Sequence, residues 1–306
     1  FGEIDSLGNQ WTRPGNFVGN GPFTLEEWKL NQVIKVKKNP SYWDADRVKL
    51  NEIHFLPIDN VSREDFMFRS GQIHVTSSIP TEKIEVYKKE YPQNISISPY
   101  YGTYYYRFNL NKKPLDNKLI RKALSLSIDR EKITDKVAKG GQIPSFSFTP
   151  PDPNGYFPPT KLEFNPTKAK ELLRQAGYSE GELPTFELLY NTSEGHQKIA
   201  EAMQQMWKET LGVDIVLTNT DWKVYLSREN NGDFEISRAG WIGDYQDPKT
   251  FLDMMVSGRG NNKTGWSNPE YDSLLIKASQ ATSQEQRYAY LYEAEKILID
   301  ELPIIP

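Results

Sequence analysis

Hydrophobic and polar positions alternate through much of the first hundred residues. Asn20-Gly21-Pro22-Phe23 reads as a turn, followed by alternation through Phe23 and Leu25 and, after Trp28, by Val33-Ile34-Lys35-Val36. Ile53-His54-Phe55-Leu56-Pro57-Ile58 is another strand candidate. Ser62 to Ser70 predicts a short helix ended by Gly71, leading to a strand at Ile73-His74-Val75. Pro80-Thr81-Glu82 then opens a helix through Tyr87.

From Tyr101 the pattern changes to strands alternating with helices. Tyr104 to Leu110 is a strand, and Asp116 can cap a helix whose apolar positions are Leu119, Ile120, Ala123, Leu124 and Ile128. Gly140 to Pro166, with Pro150-Pro151 and Pro158-Pro159, predicts an ordered surface loop. Lys168 to Ala176 is a helix closed by Gly177. Phe186, Leu188 and Tyr190 then alternate on a strand. Ile199, Met203, Met206, Trp207 and Leu211 mark one face of a helix ended by Gly212, and Val213, Ile215 and Leu217 alternate on the next strand. Strand, helix and strand with short joints make an open α/β sheet unit. Ligands of such sheets sit past the carboxyl ends of strands, where Asn191-Thr192-Ser193 leads into His196. Ser283-Gln284-Glu285-Gln286 caps a last helix running to about Asp300. The expected architecture is α/β in two lobes.

Composition narrows the function. The 306 residues exceed one typical domain, and a 37% hydrophobic share with a mean hydropathy of −0.66 describes a wet surface. No apolar run approaches the roughly 20 residues a membrane span needs. A net charge of −4, with bases scattered among acids, gives no basic patch for nucleic acid or anionic membranes. The absence of cysteine excludes disulfides, thiolate nucleophiles and cysteine-ligated zinc. Seventeen Tyr and 7 Trp supply rings with an apolar face and a polar tip, suited to cores and interfaces alike. Phe1-Gly2-Glu3-Ile4 is neither a signal peptide nor an acylation site, and Leu302-Pro303-Ile304-Ile305-Pro306 stops inside a strand-like run. Both ends read as the edges of a fragment.

Several of these segments, taken in order, resemble the oligopeptide branch of the family 5 solute-binding proteins of ABC importers. They are Asn20-Gly21-Pro22-Phe23 with Trp28, Asn39-Pro40-Ser41-Tyr42-Trp43, and Ser70-Gly71-Gln72-Ile73, where His74 replaces a usual acid. Tyr104-Tyr105-Tyr106 with Phe108-Asn109, and Arg121-Lys122-Ala123-Leu124 through Ile128-Asp129-Arg130, follow. Tyr190-Asn191-Thr192-Ser193, Trp222-Lys223 and Arg238-Ala239-Gly240-Trp241-Ile242-Gly243-Asp244-Tyr245 are the narrowest marks. The resemblance implies an incomplete two-lobed periplasmic-binding-protein fold (type II, cluster C). Residues 1–101 would be the latter part of the first lobe and 102–306 a nearly complete second lobe. It also implies an extracytoplasmic monomer, lipid-anchored in a Gram-positive host or free in a periplasm. Such a protein carries oligopeptides to membrane permease subunits and uses no cofactor or metal. Dipeptides, nickel chelates and oligosaccharides are the ligands of neighbouring branches, and peptide pheromones are a further possibility.

The same resemblance assigns roles. Asp244 would pair with the peptide's ammonium, which once enclosed needs an ionised acceptor. Gly240, Trp241 and Ile242 would pair with the peptide main chain as an added strand. His196 and Arg238 match positions that receive the carboxylate end. A further lysine of the family falls at Ala138, with Lys139 beside it. A side-chain pocket flanked by an acid and a base is matched here by Arg107 and Glu229, a swapped pair, beside Tyr105 and Trp222. Plainer alternatives stand next to each: Asp244 can cap the turn before Tyr245, Trp241 can be core, His196 can be a surface residue, and Arg107–Glu229 can be a surface salt bridge. His54 and His74, on predicted strands, carry no function. An enzyme would have to use Asp244 and Asp247 as a carboxylate pair of the glycoside hydrolase kind. No GxSxG, HExxH or phosphate-cradling loop is present.

Overall fold

The structure, a computed structural model, describes residues 6–152 and 154–306. The opening Phe1 to Ile4 lies outside the described residues. The chain divides into two compact units, Phe1–Pro80 and Thr81–Pro306.

The first unit holds an antiparallel sheet of β1 (Phe23–Lys29), β2 (Val33–Lys38) and β3 (Glu52–Phe55), in that order. Asn31, at φ 57°, makes the tight turn between β1 and β2. Asn39 is a hub: its amide donates to Gly21 C=O at 2.9 Å and its Oδ1 accepts from Ser41 N–H at 3.0 Å. β3 ends before Pro57, which has no N–H to give a ladder. Helix α1 (Val61–Arg69) is capped by Asn60, whose side chain accepts from Arg63 N–H, and stops before Gly71 at φ 74°. The strand expected at Ile73–Val75 does not form. The segment is instead drawn back to α1, where the Glu64 carboxylate accepts from Ser77 N–H at 2.7 Å and Ser77 O–H at 2.9 Å.

The second unit begins with α2 (Ile84–Glu90) and is built on a five-stranded sheet. Its strands are β4 (Gly102–Phe108), β5 (Phe186–Asn191), β6 (Ile215–Thr220), β7 (Ile236–Ile242) and β8 (Ile304–Ile305), ordered β6-β5-β7-β4-β8. β5 runs parallel to β6 and β7, while β4 is antiparallel to β7 and β8. The unit's longer helices are α3 (Lys118–Leu126), α4 (Pro166–Gln175), α5 (Glu194–Leu211), α6 (Trp222–Asn230), α7 (Pro269–Gln280) and α8 (Gln284–Glu301). As the sequence predicts, α5 is the crossover between β5 and β6, and it ends at Gly212 in the left-handed region, φ 69°.

The period-2 alternation of β4 and β7 divides the core. Tyr106, Phe108 and Ile236 join Ile120, Leu173 and Trp207 under α3, α4 and α5. Tyr105 and Ala239, on the opposite face, join Phe148, Phe251, Leu291 and Leu298 under α7 and α8. α3 is capped by Asn117 rather than Asp116, whose carbonyl is taken by Arg121 at 2.9 Å. The described residues of 140–165 form no helix or strand, yet the segment is not a loop lying over the surface. Phe148 and Tyr156 are fully buried, Thr103 O–H donates to Phe148 C=O at 2.7 Å, and Thr149 N–H and Tyr156 O–H both reach the buried carboxylate of Glu295. Among the described residues no helix is long and apolar enough to cross a membrane.

Candidate functional site

β7 is a shared strand with one side half free. Its first residues, Ile236 and Ser237, pair with β5, and its whole length pairs with β4. Gly243 N–H donates to Tyr101 C=O at 2.9 Å, so odd-numbered positions direct their peptide groups to β4 and even-numbered ones away from it. The carbonyl of Arg238 is taken by the Tyr225 hydroxyl. Beyond it, the peptide groups of Gly240 and Ile242 have no partner among the described residues. Both residues are exposed, and they form a short, unpaired sheet edge. Trp241 departs from the expected role, because its own peptide group belongs to the β4 ladder opposite Thr103. Its indole N–H donates to Thr250 Oγ1 at 3.2 Å, which makes the side chain a wall of the strand's end and not a main-chain partner.

Asp244 follows β7 directly. Its backbone N–H donates to the same Thr250 oxygen at 3.2 Å, and its carboxylate is exposed, with no ion pair or hydrogen bond among the described residues. The side chain therefore caps nothing. Gly243 is needed just before it, since a Cβ there would lie 2.7 Å from the Tyr101 ring. Asp247, three residues on, is held by Arg287 through two bonds of 2.7 and 2.6 Å. Asp244 and Asp247 are thus no matched carboxylate pair.

Arg238 and His196 come together on the face that carries Tyr104 and Tyr106. The Arg238 guanidinium lies over the Tyr104 ring, 4.8 Å from its centroid, and donates to Asn191 Oδ1 at 3.3 Å. His196, in the first turn of α5, places Nδ1 3.3 Å from the Tyr104 hydroxyl. Burial, followed by the positive charge of Arg238, pushes its pKa down to about 4, so the imidazole is neutral at neutral pH.

On the opposite face, Arg107 donates to Glu229 at 2.6 Å and to Tyr105 O–H at 3.2 Å, while Ser237 O–H donates to Glu229 at 2.7 Å. The two side chains are almost wholly out of water, so the plainer alternative of a surface salt bridge does not describe them. Burial alone would lower the Arg107 pKa, but Tyr105 and Glu229 more than offset it and hold the guanidinium firmly protonated. Trp222 is exposed and stacks on Tyr225, 5.4 Å between centroids. Lys139 is exposed at the end of its turn, and His54 is an exposed partner of Glu52 at 2.9 Å.

Sequence reasoning missed Tyr104, Thr250 and Tyr225. Tyr104 was legible only through register, being the residue opposite Gly240. Thr250 and Tyr225 had no local signal, because each is defined by the strand end it serves.

The family model described as bacterial extracellular solute-binding proteins, family 5 Middle, matches residues 3–263. The periplasmic murein peptide-binding protein MppA of Escherichia coli is 40% identical over 306 residues, covering 98% of this chain and 57% of that protein. The oligopeptide-binding protein OppA of Bacillus subtilis is 38% identical, covering 99% of this chain and 58% of that protein. The solved structure of Haemophilus influenzae OppA in complex with RPPGFSPFR superposes with a TM-score of 0.94 at 35% identity, over 100% of this chain and 61% of that one. The chain thus spans about three-fifths of the length of the relatives it matches. Those relatives are named as peptide-binding proteins, and the superposition takes in the whole of this chain. By the family match across most of its length and by this fold, the chain belongs to the bacterial extracellular solute-binding proteins, family 5.

Proposed function

We propose that this chain is the greater part of an oligopeptide-binding protein that delivers peptides to an ABC importer. The observation that carries the reading is the free edge at Gly240 and Ile242, with an unpaired carboxylate at Asp244 beyond one end and Arg238 with His196 at the other. A peptide laid on this edge runs antiparallel to β7, its ammonium toward Asp244 and its carboxylate toward Arg238. Main-chain pairing gives affinity without reading side chains. Arg107 and Glu229 satisfy each other beside the buried Tyr105, so this side of the site offers the exposed Trp222 ring and no free charge. That favours tolerance over charge selection.

In this reading residues 1–101 belong to the first lobe and 102–306 to the second, with the peptide enclosed on lobe closure. The protein works outside the cytoplasm, as a lipid-anchored or periplasmic monomer, and permease subunits recognise its loaded form. The test is calorimetric titration with a free tripeptide and tetrapeptide, each against its N-acetylated twin. It is run on the 306-residue chain and on a chain extended to the length of its relatives. Binding is expected to fall at least tenfold on acetylation and on Asp244→Ala. Equal binding of capped and free peptides would remove Asp244 from the site, and no binding by either chain would end the peptide reading.

A further inference from the structure

Arg238 carries an unusual vacancy in its hydrogen bonding. Its Nε is buried without a hydrogen-bond partner among the described residues, while Nη1 donates to Asn191 and the guanidinium lies over the Tyr104 ring. A buried guanidinium N–H left unpaired is costly unless something visits it. His196, half-buried, has Nδ1 on the Tyr104 hydroxyl and no hydrogen bond at Nε2 among the described residues. It also sits in the first turn of α5, whose N-cap Ser193 offers no side-chain bond, so the helix's positive end is left open beside it. Guanidinium and helix terminus both oppose a second positive charge on the imidazole. An anion at Arg238 would cancel that opposition.

We infer that seating a peptide's carboxylate at Arg238 draws a proton onto His196, so that free-carboxylate peptides bind more tightly as the pH falls below neutral. The inference rests on the reading of Arg238 and His196 as the carboxylate end. By reciprocity, whatever the anion does for the proton the proton does for the anion. Among the described residues, the titratable and charged groups around the ring come from four elements. From β4 come the phenols of Tyr104 and Tyr106, both held neutral by burial. From β5 come Asn191 and Tyr190, whose hydroxyl is likewise held protonated. From β7 comes Arg238, whose charge bears on the ring. On α5 itself Lys198 turns to Thr81 and Glu82, Glu201 accepts from Gln197, and Glu194 shares the first turn.

If neutralising Arg238 returns the imidazole to its ordinary range near 6.5, affinity should be roughly tenfold higher at pH 5.5 than at pH 7.5. The experiment is calorimetry with trialanine and its C-terminal amide at pH 5.5 and 7.5, with two buffers of different ionisation enthalpy at pH 5.5, using the chain extended to the length of its relatives. Proton uptake approaching one per peptide is expected for trialanine and none for the amide. His196→Gln should lose both the uptake and the pH dependence. A histidine NMR titration should show His196 protonating near pH 4 in the free protein and well above that with trialanine bound. Binding of trialanine with no buffer dependence, or with undiminished uptake in His196→Gln, would overturn the coupling while leaving peptide binding intact. Absence of binding by either peptide at both pH values would overturn the coupling and the peptide reading together.

Discussion

Arg107 and Glu229 lie 122 positions apart and meet with side chains 11% and 6% exposed. Whether such a pair stabilises the fold depends on its remaining hydrogen bonds, since both charges have left water. Here Tyr105 and Ser237 complete the set, one on each partner. Removing one charge strands the other among buried groups. Arg107→Met should therefore cost about 3–5 kcal/mol in urea unfolding, and adding Glu229→Met should recover most of it. A single variant within about 0.5 kcal/mol of the parent, the range of an exposed pair, would show that solvent reaches these groups. The sequence offers both residues as candidates but cannot show their burial. That property comes from the register of β4 against β7 and from α6 folding over the same face.

Elements whose signals are local were legible. The β5–α5–β6 unit, the Gly71, Gly177 and Gly212 helix stops and the Ser283 cap all appear where side-chain period and capping chemistry place them. Elements decided by distant partners were not. The segment around Phe148 and Tyr156 reads as loop because it has no period, yet its ring and carbonyl contacts make it core. The open edge of β7 is likewise invisible in sequence, because it exists only where β5 stops pairing. The Gly240-to-Asp244 stretch could be located but not its division of labour between alternating peptide groups. Gly243 tests how tightly that strand end is defined. Gly243→Ala would push a methyl to 2.7 Å from the Tyr101 ring and 3.1 Å from Thr250. The expected result is a loss of about 1–3 kcal/mol in stability and a larger loss of affinity for free-amine peptides than for their acetylated twins. A variant with unchanged stability would mean that Tyr101 moves aside freely.

For the molecule as a whole, two buried titrating groups work against each other. Burial raises the Glu295 carboxyl to about 7, even though Tyr156 O–H and Thr149 N–H favour its ionised form. In the unfolded chain it ionises near its ordinary value of 4.5. Between those values the folded state holds the proton and the unfolded state does not, so stability falls as pH rises from about 4.5 to 7. His196 acts in the other direction. Its folded value of about 4 lies below the ordinary 6.5, so the unfolded state holds the proton between them and stability rises with pH. Each contribution is on the order of 3 kcal/mol across its window, and the windows overlap. Their sum is nearly flat from about pH 4.5 to 6.5. Thermal melts across that range should separate them. Glu295→Gln, which can accept from Thr149 and still reach Tyr156, should leave a profile that rises with pH. His196→Gln should leave one that falls relative to the parent, and the double variant should return to the parent's slope. Parallel profiles for all four proteins would mean that neither group is desolvated enough to couple folding to protons.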